Sequence, residues 1–278
     1  MKFPDASALS SNDHHVSRGL VVLGRVGLAA RGVVYLTIGS LTAMAGLGVG
    51  SGKITDQKDA VRALGRSPFG DVVLWIVAIG LASYVLWRFG QVLFARGHES
   101  DKLKRWGKRA AALGSGLAYA GLSASAFAQA LGGGGGGKGD STQQQGAAWL
   151  LAQPAGRWLV AGVGAVIAGV ALAQFRRAYT ASFTKHLRGG EMTHDQEQWA
   201  RRAGRAGFAA RGIAFALIAW FFAQAAMQHD ASEAGGLGAA LQMIAAQGSG
   251  RTLLAIVGAG LALFGAYSLV EARYRHIQ

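Results

Sequence analysis

Few residues in this chain have the types and spacing to do chemistry, and most of those few argue against it. The stretch "GGGGGGKGDST" at 132–142 comes nearest to a phosphate-binding loop. Gly132, Gly137 and Lys138 fit G-x-x-x-x-G-K, but Gly139 stands where that loop needs Ser or Thr. A true phosphate loop follows a strand and opens a helix, whereas this one follows a long apolar run, so it reads as a flexible tether. Histidines at 14, 15, 98, 186, 194, 229 and 276 lie outside the long apolar runs, and no two are four residues apart. No metal centre or histidine-ligated haem is expected from them. The absence of cysteine excludes thiolate nucleophiles, thiolate metal sites and disulfides. "GEMTHDQEQW" at 190–199 gathers Glu191, His194, Asp195 and Glu197. It reads as a solvated turn before a basic amphipathic helix, with weak cation binding as the alternative. No catalytic, cofactor-binding or metal residue is assigned, and an enzyme is not expected.

What remains is arginine at the mouth of apolar sequence. "AARGVVY" at 29–35 and "AARGIAF" at 209–215 each set an arginine where a long apolar run begins. An arginine at a helix centre costs about 2.5–3.5 kcal/mol on insertion scales. At a membrane boundary its stem can lie along lipid while the guanidinium reaches headgroup phosphates. Arg25 and Arg31 are six residues apart, roughly 240° around a helix, so they cannot share a face. Two readings follow. In one, these arginines are topology anchors. In the other, Arg31 and Arg211 turn into a helix bundle and pair with polar groups such as Gln91 and Glu271, as a Glu271–Arg211 or Glu271–Arg31 pair. Arg25, Arg31, Arg205, Arg211, Gln91, Glu271 and Tyr35 are the candidate structural or pore-lining polar residues.

Six apolar runs must position them: Gly32–Gly52, Val72–Trp87, Ala110–Gly137 (apolar as far as Leu131), Trp158–Phe175, Gly212–Gln228 and Thr252–Val270. Each is close to the ~17–25 residues that cross a hydrocarbon core of about 30 Å as a helix. In hydrocarbon a lone span must satisfy its own backbone, which demands helix. Only 15% of residues are charged and 51% are hydrophobic, against roughly 25% charged in soluble domains. The net charge of +14 is distributed by membrane side. Twenty lysines and arginines fall in the N-terminal segment, the second and fourth connections and the C-terminal tail. Seven fall in the other connections, and Arg88 lies near the first group. This is the positive-inside pattern, and it predicts cytoplasmic N- and C-termini in the cell (inner) membrane. It also argues against nucleic acid as a partner and for anionic lipid headgroups. Tryptophans at 75, 87, 106, 149, 158 and 199 fall near predicted interfaces. Trp220 is mid-span and is expected to pack between helices. The small residues at 41–46 could suit a signal peptidase, but 31 residues precede the run, so a retained span is expected.

The chain repeats itself. A shift of 180 aligns Gly24, Arg25, Gly27, Ala29, Ala30, Arg31 and Gly32 with Gly204, Arg205, Gly207, Ala209, Ala210, Arg211 and Gly212. The same shift aligns Gly70, Leu74, Val77 and Gly80 with Gly250, Leu254, Val257 and Gly260, and Gln91 with Glu271. A shift of 84–86 adds a weaker middle copy, with Tyr119 on Tyr35 and Pro154–Gly156 on Pro68–Gly70, but Ser115 at the place of Arg31. Two crossings per copy make the repeats parallel. "DQKDAVRALGRSPFG", "STQQQGAAWLLAQPAGR" and "EAGGLGAALQMIAAQGSGR" each predict a short amphipathic helix in an outer loop. Small residues at Ala161, Ala165, Gly169 and Ala173, and at Gly258, Ala262 and Ala266, predict close helix contacts within or between protomers.

With its A-R-G openings, and P-F-G before a returning helix, the chain resembles bacterial multi-pass membrane proteins grouped as domain of unknown function 1206. The resemblance runs from about Leu23 to Tyr274 and implies a topology of three two-helix units, with no activity attached. The expected fold is therefore an all-α membrane protein of six transmembrane helices in three tandem two-helix repeats. These form a pseudo-three-fold bundle with short amphipathic helices in the outer loops. The expected division is a cytoplasmic tail at 1–19 and repeats at 20–96, 97–187 and 188–278. Two functions fit: a non-enzymatic structural or interaction component, alone, as a homo-oligomer or with a membrane partner; or a channel or facilitator for a small solute. Scarce intramembrane carboxylate lowers the case for a proton- or sodium-coupled transporter.

Overall fold

The computed structural model describes residues 6–49, 57–65, 70–94, 115–116, 119–132, 139–186 and 192–274, with side chains from Val21 onward except 57, 90–94, 139–142 and 185–186. Among these residues the structure is all helical. The helices are α1 (Ala6–Leu47), α2 (Gln57–Gly65), α3 (Gly70–Phe94), α4 (119–130), α5 (Gly139–Leu151), α6 (Gly156–Thr180), α7 (His194–Gln228), α8 (Leu237–Ala245) and α9 (Gly250–Tyr274). Short 3₁₀ turns stand at Ser182–His186 and Ala231–Glu233. Short helices stand in the three connections where the sequence predicted them, as α2, α5 and α8; α2 and α8 are amphipathic, whereas α5 is not.

Five helices are long and apolar enough to cross a membrane: Val21–Leu47, Gly70–Phe89, Gly156–Thr180, His194–Gln228 and Gly250–Tyr274. No more than half of the apolar window of any of them is buried. Ile76, Ile79, Leu86, Val166, Leu172 and Ile256 all point outward. In water such a surface would drive association; in hydrocarbon it costs nothing. Of the sixth expected span, over 110–131, residues 110–114 and 117–118 lie outside the described residues, and α4 is its longest described helical stretch. The spans also begin earlier than the apolar runs suggested. α1 continues without a break through Arg25 and Arg31, and α7 through Arg205 and Arg211. The arginines interrupt hydropathy but not helix, because arginine is a good helix former.

The long helices pack in the order α3, α1, α9, α7, α6, with α1 against α9 the most extensive interface. Glycine makes that interface. A Cβ on Gly39 would lie 2.6 Å from Gly258 O and from Ala262 Cα, and one on Gly265 would lie 2.7 Å from Gly32 O. Gly46 abuts Ala255 in the same way. Gly32, Gly39 and Gly46 recur every seven residues, so they form one stripe along α1. Within each outer unit the geometry repeats. A Cβ on Gly27 would lie 2.6 Å from Tyr84 Cα, as one on Gly207 would from Phe264 Cα, and Gly80 meets Ala30 as Gly260 meets Ala210.

The short helices cover the end of the bundle opposite the arginines. Ala60 and Val61 of α2 and Leu237, Leu241 and Ile244 of α8 are buried in the main core. The small-residue stripe of α9 packs at Gly258 and Ala262, but that of α6 turns outward at Ala165, Gly169 and Ala173. Trp220 is 51% exposed rather than packed between helices. Hydropathy alone cannot separate a side chain facing lipid from one facing another helix.

Two outcomes test this packing. Gly39→Ala is expected to cost about 1–3 kcal/mol, because backbone blocks the new methyl. Gly169→Ala, which meets nothing within 4 Å, is expected to be neutral or stabilising by up to about 1 kcal/mol. Equal losses in the detergent unfolding midpoints of the two variants would contradict the α1–α9 contact. His229 caps α7 at φ 54 with its side chain exposed. His229→Gly should gain roughly 0.5–1 kcal/mol by relieving the left-handed backbone, read as a higher midpoint.

Candidate functional site: a buried charge cluster at the basic end

The chemically interesting groups collect near the arginine end of the long helices. α9 supplies Phe264, Ser268 and Glu271, spaced i, i+4, i+7 and therefore on one face. α3 supplies Tyr84 and Arg88, one turn apart. α1 supplies Arg31 and Tyr35, and α7 supplies Arg211. The glycine contact at Gly32 and Gly265 brings α1 and α9 close enough for side chains to bridge them.

Arg31 is the centre. It is 7% exposed, and its Nη2 forms an ion pair with Glu271 Oε2 at 2.8 Å. The same Nη2 donates to Ser268 Oγ at 3.2 Å, and Nη1 donates to Tyr84 Oη at 3.4 Å. Ser268 Oγ in turn donates to Phe264 O at 2.8 Å, so this buried hydroxyl both gives and accepts. Arg88 donates to Tyr84 Oη from Nε at 2.9 Å and from Nη2 at 2.7 Å. Two guanidinium groups thus converge on one phenol oxygen. Bonds from charged donors of this kind are the stronger ones.

Aromatic rings close the cluster. The Arg31 guanidinium lies 5.1 Å from the Phe264 centroid and 5.6 Å from that of Tyr84. Arg211 lies 4.3 Å from Phe264, 5.1 Å from Tyr35 and 5.3 Å from Phe215. Phe264 therefore carries both arginines, and Tyr35 meets it edge-on at 4.9 Å. Tyr84 packs on Tyr119 of α4 at 4.7 Å. Ring faces attract cations, more so where water is excluded. Among the described residues Arg211 has no carboxylate partner, and its Nε is buried without a hydrogen bond.

Of the residues singled out from sequence, Arg31 and Glu271 meet directly, while Tyr35 and Arg211 join through Phe264. Arg25 is half-buried, with its Nε shielded and unbonded. Arg205 is exposed, and its Nη2 donates to Tyr179 O at 3.0 Å in the last turn of α6. A cation suits the carbonyls at a helix end. The side chain of Gln91 lies outside the described residues. Sequence reasoning missed Tyr84, Ser268, Arg88 and Phe264. The signal was present: the 180-residue shift pairs Tyr84 with Phe264 and Arg88 with Ser268.

The acidic stretch at 191–197 has a local explanation. Thr193 caps α7, with its Oγ1 accepting from Gln196 N and Gln196 Oε1 accepting from Thr193 N. Asp195 and Glu197 sit in the first turn, where negative charge suits the helix dipole. Glu191 lies outside the described residues.

No solved structure matches the chain. "Uncharacterized protein YxxB" of Bacillus subtilis (strain 168) is 32% identical over 255 residues, covering 91% of this chain and 90% of that protein. The family described as Domain of Unknown Function (DUF1206) matches in three successive stretches, 26–95, 110–181 and 206–275. Each stretch runs from one arginine-bearing first helix or its counterpart through a returning helix, and on that agreement the chain belongs to the DUF1206 family.

Proposed function

We propose that this chain is a non-enzymatic integral protein of the bacterial cell membrane, a structural or interaction component rather than a conduit. It spans the bilayer six times, the third crossing over 110–131. Both termini are cytoplasmic, and anionic headgroups contact the basic end. The three units stand about a pseudo-three-fold axis, the returning helix of each against the first helix of the next. Recurring contacts support this arrangement. Gly258 meets Ala43 N and Gly39 O in α1, and Gly164 meets Ala223 N and Ala219 O in α7. Gly32 meets Leu269, and Gly212 meets Phe175. In each case the α6–α7 partners are the repeat counterparts of the α9–α1 partners.

The observation that carries the functional reading is the state of Arg31 and Glu271. A conduit would present these charges to water. Here they are buried, bonded to each other and walled by Tyr84 and Phe264. The pair acts as a clamp between helices. Removing one member leaves an uncompensated buried charge, which costs about 3–5 kcal/mol, whereas removing both costs far less than the sum. Arg31→Leu, Glu271→Leu and the double variant are expected to show that coupling in their unfolding midpoints; strictly additive losses would reject the clamp. The channel reading draws on Arg211, which has no carboxylate partner among the described residues. Liposomes carrying the protein should show no ion flux above empty vesicles, with or without Arg211→Leu. Flux that Arg211→Leu abolishes would replace the structural reading with the conduit.

A further inference from the structure

The two recurring helix interfaces differ in one respect. Where α9 meets α1, Arg31 finds Ser268 at 3.2 Å and the Glu271 carboxylate at 2.8 Å. The register of α6 against α7 is the same, because Gly212 abuts Phe175 as Gly32 abuts Leu269. Phe175 is the nineteenth residue after Gly156, as Leu269 is after Gly250. By that register Gln174 is the repeat counterpart of Ser268 and Arg177 that of Glu271; Arg177 is exposed, with its guanidinium 6.0 Å from the Phe208 ring of α7. The acid has become a base. Arg211 has no carboxylate among the described residues and keeps a buried, unbonded Nε. Gln174 is 4% exposed, and its Oε1 is buried without a hydrogen bond. Both are groups that a folded protein normally satisfies.

We propose that the basic end of the α6–α7 interface is an anion site, and that a phosphate group fills the place which Glu271 fills against α1. This rests on the reading that these helices cross a bilayer. Arg211 and Arg177 supply charge-assisted donors suited to a tetrahedral oxyanion. The Gln174 amide accepts from a guanidinium with its oxygen and donates to the phosphate with its nitrogen. Arg211 lies seventeen residues from the last residue of α7, Gln228, about 26 Å along the helix. Gln174 lies at a matching depth from Gly156. Both are therefore near one boundary of a hydrocarbon layer of about 30 Å, where lipid phosphates stand. A phosphodiester headgroup or a free phosphate offers the same chemistry.

The test uses the full chain in nanodiscs of phosphatidylcholine alone, in the same discs with added inorganic phosphate, and in discs containing phosphatidylglycerol. Wild type is expected to gain about 5 °C in unfolding midpoint from at least one source of phosphate. A gain with phosphatidylglycerol alone identifies the lipid as the source, and a gain with inorganic phosphate identifies the free anion. Arg211→Gln and Gln174→Leu should lose at least half of the gain. Arg177→Glu returns a carboxylate to the site, so it should start higher in phosphatidylcholine and gain nothing further. Arg201→Glu, an exposed change of the same net charge, should respond as wild type does. The proposal is overturned if no source moves wild type, if Arg211→Gln responds fully, or if Arg201→Glu loses as much as Arg177→Glu. A chain that does not co-elute with the discs at all would instead sink the membrane reading beneath it.

Discussion

The bundle and its charge cluster depend on how closely α1 and α9 approach. Between helices in hydrocarbon there is no water to expel, so association must come from contact itself. Glycine at 32, 39 and 46 on one helix, and at 258 and 265 on the other, lets backbone touch backbone along most of the apolar length. A seven-residue spacing keeps such a stripe facing its partner when two helices cross at a shallow angle. Only at that separation can the Arg31 guanidinium, anchored on α1, reach both Ser268 and Glu271 on α9. The glycines are thus a condition of the charge cluster, not a separate feature.

The cluster in turn makes the close contact specific. Apolar stripes of small residues can slide by one repeat and still fit. A buried ion pair cannot, because a slipped register would leave a guanidinium and a carboxylate unpaired in a dry interior. Phe264 contributes from the other side. Its ring takes the Arg31 and Arg211 guanidiniums at 5.1 and 4.3 Å and the edge of Tyr35, tying α1, α7 and α9 through one side chain. Tyr84 does the same for α1 and α3 by accepting from Arg31 and Arg88.

Much of this was legible in the sequence. Internal repetition exposed the units, because parallel two-helix copies preserve the glycines that pack them. The three short helices were visible from periodicity and their bounding Gly and Pro. Arg31 and Glu271 stood out because charge near apolar sequence needs a reason. What stayed hidden depends on helix rotation, which no single segment encodes. Tyr84 reads as one more apolar residue in its run, and Trp220 looks like any mid-span aromatic until its face is known. The apolar run begins at Gly32, later than the helix, because hydropathy registers the charge of Arg31 but not the hydrogen bonds and ring contacts that let α1 carry it inward.

The uneven distribution of acid among the repeats has a physical logic. α6 and α7 are joined by a short connection at 181–193, so the chain itself keeps them near one another. α1 and α9 lie at opposite ends of the sequence, and bringing them together closes the longest loop the chain can form. Loop-closure entropy grows with length, and nothing covalent offsets it here. Strong, directional, register-fixing contacts are therefore worth most at that junction. It is there that glycines 32, 39 and 46 face glycines 258 and 265, and that the repeat position held by Arg177 in α6 is held by Glu271 in α9.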